Sequence, residues 1–132
     1  MISLSDSIHL YARPDTREQL LEFFTSILGL EAVTSSDAVG TPEPIYAFKF
    51  SNEASLSVEF TEDALSDQQA QRAAWLELRT DGAVELQQKV QAFGLARVVH
   101  PYTPFFYIQA PGGQVFRIVS SKERWGVGQS PE

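Results

Sequence analysis

A guanidinium in the middle of an apolar strand is the first residue of this chain that demands an explanation. The stretch APGGQVFRIV, Ala110 to Val119, opens on Pro111-Gly112-Gly113, a fixed φ followed by residues that tolerate positive φ, and continues as strand. Alternation puts Val115, Arg117 and Val119 on one face and Phe116 and Ile118 on the other. Arg117 therefore aims a cation at a partly covered sheet face. A second charge lies in SLSVEFTE, where Glu59 sits among β-branched and aromatic residues and a carboxylate out of water needs a partner. Arg117 and Glu59 are expected to form a charge-assisted, bidentate pair. Such a pair is read either as a structural salt bridge or as a ligand contact.

The same alternation names the rest of that face. His9, Tyr11 and Arg13 come from one strand, Ser57, Glu59 and Thr61 from another, and Trp75, Glu77 and Arg79 from a third. Phe105, Tyr107 and Gln109 come from a fourth strand and Arg117 from the last. Aromatic walls with a few convergent polar groups make a small-molecule pocket, and the expected ligand-binding residues are His9, Tyr11, Glu59, Trp75, Glu77, Tyr107 and Arg117. Planar or cationic ligands stack well on Trp and Tyr. Two of these residues keep an alternative reading: His9 as a hydrogen-bonded strand histidine, and Trp75 as packing between modules. His100 precedes Pro101, which places it in extended backbone at a strand end or loop. With no cysteine and no serine in a nucleophile elbow, covalent catalysis has no support and the catalytic residues stay unassigned.

The elements that position these residues come as a repeat. IHLYARPDTREQLLEFFTSILGLEAV, from Ile8, lies over AWLELRTDGAVELQQKVQAFGLARVV, from Ala74, each running strand, helix and a Gly-Leu that starts the next strand. Asp15 with Glu18 resembles a capping box opening the first helix, and Gly29 closes it. In the second copy Ala83, Leu86, Val90 and Phe93 keep helical spacing up to Gly94. Further strands are expected near 31–34, 45–50 and 55–61, then 97–100, 105–110 and 115–119. The chain thus reads as an α+β fold of two tandem βαβββ modules, curved antiparallel sheets around a concave cavity. The first module spans 1–61, a polar linker 62–72, the second module 73–121, and a tail 122–132. From Ser120 onward the composition is that of a fraying end, with Trp125 able to pin it to the body.

Composition narrows the partners. The 132 residues, 43% hydrophobic, are enough for one packed core. No apolar run approaches the roughly 18 residues that cross a bilayer, and MISLSDS lacks the basic flank and apolar stretch of a secretory signal, so a cytoplasmic location is expected. A net charge of −7 without a basic cluster argues against nucleic acid and anionic membranes. Without cysteine, only His, Asp and Glu remain as strong metal ligands, and there are two histidines.

From about Ile2 to Ser121 the sequence resembles the vicinal oxygen chelate superfamily, which includes glyoxalase I, extradiol dioxygenases and bleomycin-resistance proteins. The resemblance rests on the repeat beginning at Ile8 and on PGGQVFRIV, which is similar to the family's last turn and strand. Metal-dependent members are expected to present a His or Glu from the first and last strand of each module. His9 and Glu59 match those positions in the first module, whereas Trp75 and Arg117 occupy them in the second and have no lone pair to give a metal. Two protein ligands fall short of the three usual in catalytic zinc or iron centres, so no cofactor is expected. The resemblance implies a metal-free binding protein, a homodimer that holds an aromatic or cationic ligand, antibiotics among the candidates. The alternative is a divalent-metal-dependent enzyme like glyoxalase or a dioxygenase, a lyase or oxygenase working through His9 and Glu59. A metal-free enzyme would use Glu59 as base and Arg117 as oxyanion stabiliser.

Overall fold

The computed structural model of the chain describes residues 1–35 and 43–123; Trp125 lies outside them. β1 (Ser7–Ala12), β2 (Ala32–Ser35), β3 (Ile45–Lys49) and β4 (Ser55–Phe60) form a four-stranded sheet in the order β1-β4-β3-β2. After α1 (Arg17–Glu22) in the first module and a short α2 (Asp67–Ala70) between the modules, the pattern returns. β5 (Leu76–Thr80), α3 (Ala83–Phe93), β6 (Arg97–His100), β7 (Thr103–Gln109) and β8 (Val115–Ser120) give a second sheet, β5-β8-β7-β6.

Both sheets are mixed, which corrects the antiparallel expectation. β1 runs parallel to β4 and β5 parallel to β8, while the other pairs are antiparallel. The helix carries the chain back over the sheet, so β2 starts at the end where β1 started, and two reversals later β4 points the same way as β1. Alternation assigns faces and is blind to this direction.

The start of the first helix is also corrected. Asp15 caps nothing: a single 3-10 turn begins at Pro14, Arg13 is its extended N-cap residue (ψ 142), and no side chain caps it. Proline pre-sets the helical φ at the first position, which places Asp15 inside the turn. The capping box lies instead at Ser66, whose hydroxyl accepts from the Gln69 N–H at 3.2 Å while Gln69 Oε1 accepts from the Ser66 N–H at 2.9 Å. Beyond α1 the helix widens into a π turn, Phe23–Ile27, which keeps Phe23 and Phe24 buried before Gly29 turns the chain at φ +74.

One core serves both modules. Val58, Leu56 and Phe60 of β4 and Ala12 of β1 are buried with Phe116 and Ile118 of β8 in a single cluster that also takes Leu20, Phe23, Phe24 and Val90 from the helical segments. Phe24 stacks on Phe48 with centroids 4.6 Å apart, and Phe116 approaches Phe24 edge-on at 6.2 Å and Phe23 at 6.3 Å. The first sheet leaves alternate residues such as His9 and Glu59 outside this core, while the second sheet buries Val115 of its other face with Val98 and Tyr107 in a smaller cluster of its own.

Candidate functional site

On the first sheet, β1 and β4 lie in register with His9 beside Ser57 and Tyr11 beside Glu59. The ring of His9 bridges two of these residues, with Nδ1 2.6 Å from Ser57 Oγ and Nε2 3.1 Å from Glu59 Oε1. An ionised carboxylate only accepts, so Nε2 is the donor toward it, and in the neutral imidazole Nδ1 then accepts from the serine hydroxyl. Tyr11 meets His9 edge-on at 5.1 Å. The row is open to water, with His9 38% and Glu59 25% exposed at the side chain. It holds an imidazole in one orientation and gives it a carboxylate to stabilise a positive charge.

On the second sheet the arrangement is denser. Glu77 and Arg117 are register partners on β5 and β8, and Arg117 Nη1 donates to Glu77 Oε2 at 3.2 Å. Glu77 is shared, because Arg79 Nε donates to its Oε1 at 3.1 Å. The other end of Arg117 is taken by a residue just past β8: Nη2 donates to Glu123 Oε2 at 2.8 Å. Arg79 Nη2 meanwhile donates to the Glu123 backbone carbonyl at 2.6 Å. The guanidinium carbon sits 3.7 Å above the centre of the Phe105 ring, and the side chain of Arg117 is only 8% exposed.

Beside this cation lies a hollow of about 210 Å³ lined by Trp75, Leu76, Glu77, Thr103, Phe105, Tyr107 and Arg117. Trp75, which just precedes β5, packs at 4.7 Å from Tyr107 and donates its indole N–H to the Gln71 carbonyl at 2.9 Å. Phe105 meets Tyr107 at 6.4 Å, and the Tyr107 hydroxyl is 3.2 Å from Thr103 Oγ1. His100 joins this aromatic group, edge-on to Trp75 at 5.7 Å.

The structure thus divides the seven expected residues. His9, Tyr11 and Glu59 gather on the first sheet, and Trp75, Glu77, Tyr107 and Arg117 on the second. The expected pairing of Arg117 with Glu59 is overturned: Glu59 bonds to His9, and Arg117 to Glu77 and Glu123. Register sets Glu77 beside Arg117, whereas Glu59, opposite Tyr11, reaches His9 two residues back along β1. Glu123 was not foreseen, since a residue past the last strand carries no periodic signal, and Thr103 was missed because it precedes the expected start of β7.

A second hollow, about 230 Å³ and largely apolar, lies between the modules. Leu20 and Phe24 meet Ala70, Ala73 and Ala74 of the inter-module segment and the Pro111–Gln114 turn there, with His9 and Tyr11 at its edge. Sequence periodicity marks only the part of this wall that β1, β4 and the first helical segment supply; the rest is a turn and the inter-module segment.

Among the described residues no group of three or more His, Asp or Glu is arranged to hold a metal ion. On the first sheet His9 and Glu59 supply two donors, 3.1 Å apart. The donor set falls short of a three-ligand catalytic centre.

No protein-family model and no curated protein sequence matches the chain. Solved structures do. A glyoxalase family protein from Bacillus anthracis superposes with a TM-score of 0.67 at 16% identity, over 92% of this chain and 98% of that one. The chain has the fold of that glyoxalase family protein, two mixed four-stranded sheets with helices. The same fold recurs in the fosfomycin resistance protein FosX from Listeria monocytogenes, with a TM-score of 0.67, 12% identity and 92% of each chain covered. It recurs also in TnmS3, an antibiotic binding protein from Streptomyces sp. CB03234, with a TM-score of 0.62, 16% identity, and 90% of this chain and 96% of that one covered. No described helix is long and apolar enough to cross a membrane.

Proposed function

We propose that this chain is a metal-free binding protein for a small aromatic ligand, with aromatic antibiotics as the first class to try. The observation that carries this reading is the hollow walled by Trp75, Phe105 and Tyr107, at the place where the fold's metal-dependent members would need ligands and this chain has Trp75 and Arg117. A ring slides between aromatic walls at little entropic cost, and its burial there supplies affinity without bond-making. TnmS3, an antibiotic binding protein of the same fold, supports the class of function. The test is quenching of Trp75 fluorescence in Trp125→Phe, where it is the remaining tryptophan, by a panel of aromatic natural products, repeated with Tyr107→Ala added. Saturable quenching that weakens at least tenfold in the variant is expected; a panel without saturable quenching would sink the reading.

A second reading keeps the metal, since FosX has been crystallised with Mn(II) and His9 and Glu59 lie 3.1 Å apart on an accessible face. Titration of the purified protein with Mn(II) and Zn(II) separates the two: under the metal-free reading neither binds tighter than about 100 μM, as two protein donors leave most of the coordination shell to water.

The modules are read as 1–61 and 73–121 joined by a linker, and the working form as a homodimer in the cytoplasm. Each sheet leaves its polar face uncovered by the shared core, and a second copy would close it. Light scattering at micromolar concentration gives the mass directly, and a monomer there would remove this part.

A further inference from the structure

The guanidinium of Arg117 is held as a carboxylate receptor, and its second carboxylate is a removable one. Of the two that it binds, Glu77 is fixed: it stands opposite on the neighbouring strand and is clamped from the other side by Arg79. Glu123 comes from beyond the end of β8, and its side chain is 54% exposed. It reaches Arg117 through one oxygen, 2.8 Å from Nη2. Its backbone is tied down separately, by Arg79 Nη2 to its carbonyl at 2.6 Å and by its own N–H to the Ser120 carbonyl at 3.0 Å. The side chain can therefore swing off the guanidinium without undocking the segment.

Charge counting shows what would replace it. Arg79 and Arg117 face Glu77 and Glu123, two cations against two anions. With the Glu123 carboxylate turned away, two guanidiniums share one carboxylate and the cluster carries one net positive charge. A buried cation in that state recruits one anion, and the freed Nη2, with Nη1 still on Glu77, offers a carboxylate oxygen the charge-assisted bond that Glu123 gave up. The free Nη2 end belongs to a side chain that itself lines the 210 Å³ hollow of Trp75, Phe105 and Tyr107. A cavity of about 150 Å³ is already large enough for benzene.

We propose that this hollow binds an aromatic ring bearing a single carboxylate, which takes Arg117 in exchange for Glu123. The inference rests on the aromatic-binding reading above and adds to it the sign of the ligand's charge. The chain's overall charge of −7 draws cations at long range, whereas at contact distance the guanidinium sets the preference. Glu123 is then an internal competitor that lowers the apparent affinity by the fraction of time it holds the site.

The experiment uses the full chain with Trp125→Phe, so that Trp75 is the single tryptophan of the two in the sequence. Quenching is titrated with benzoate, benzyl alcohol and benzylammonium, before and after Glu123→Gln. Benzoate is expected to bind more tightly than benzyl alcohol, and the ratio of their dissociation constants to shift about tenfold further toward benzoate in Glu123→Gln. In Arg117→Met, checked for a native circular dichroism spectrum, the benzoate preference disappears. An unmoved ratio, or a preference for benzylammonium in Glu123→Gln, overturns the inference while leaving the aromatic-binding reading intact. If none of the three quenches saturably, both fall together.

Discussion

Glu77 and Arg117 stand opposite each other on β5 and β8, and the Arg117 side chain, 8% exposed, depends on that neighbour far more than Glu77, 32% exposed, depends on it. Removing either residue therefore has unequal consequences. Glu77→Leu leaves a covered cation with Glu123 as its remaining carboxylate, and should cost about 2 kcal/mol, below the 3–5 typical of fully buried pairs. Arg117→Met removes the charge but keeps its volume over Phe105, leaves two carboxylates that water reaches, and should cost about 1 kcal/mol or less. Urea unfolding midpoints of the two variants measure the difference, and equal losses would contradict it.

Gly112 holds a turn that no other residue fits. Its φ is +93, and an added Cβ would lie 2.7 Å from Leu20 Cδ1 and 3.0 Å from the Ala12 Cβ. Gly29 has a comparable φ of +74 with nothing within 4 Å. Gly29→Ala thus isolates the backbone penalty, about 1 kcal/mol, and Gly112→Ala adds a clash inside the core edge for a total of about 3 kcal/mol. Thermal melts of the pair should show at least twice the loss in Tm for Gly112→Ala.

Much of the fold was legible because period-two alternation is strong in β1 and β4, and the repeat doubled each observation. Strand direction was not, since parallel and antiparallel partners bury the same alternate residues. At the site, alternation put His9, Glu59, Glu77 and Arg117 on one inward face, and the structure divides them between the two sheets, because alternation could not say which charge meets which. That depends on register between strands distant in sequence, such as Glu77 against Arg117. One missed element did leave a signal: Ser66-Asp67-Gln68-Gln69 has the spacing of a capping box, inside a stretch that composition alone marks as linker.

Phe116 makes the two modules one cooperative unit. It belongs to the second sheet, is 1% exposed, and packs on Phe23 and Phe24 of the first module. Phe116→Ala should cost about 3–5 kcal/mol. Because the cavity opens in a core common to both modules, unfolding should remain a single transition. In the Trp125→Phe background, Trp75 fluorescence, reporting the second module, and far-ultraviolet circular dichroism, reporting both, are expected to coincide. Separate midpoints would mean that the modules unfold independently despite these contacts.

Gln109 ties the inter-module segment to the second sheet. Its Nε2 donates to the Asp67 carbonyl at 2.7 Å and to the Gly113 carbonyl at 2.9 Å, while its Oε1 accepts from Gln71 Nε2 at 3.1 Å. These bonds close one wall of the apolar hollow between the modules, because Ala70, Ala73 and the Pro111–Gln114 turn all line it. Gln109→Leu keeps the volume and deletes all three bonds, so the segment should open locally while the shared core stays folded. Arg72 then becomes a faster tryptic site. Limited trypsinolysis is expected to cut after Arg72 roughly tenfold faster in the variant, a rate that corresponds to about 1.4 kcal/mol of lost local protection, with a Tm lowered by only a few degrees. An unchanged cleavage rate would mean that the segment is held by α2 and its Ser66 cap rather than by Gln109.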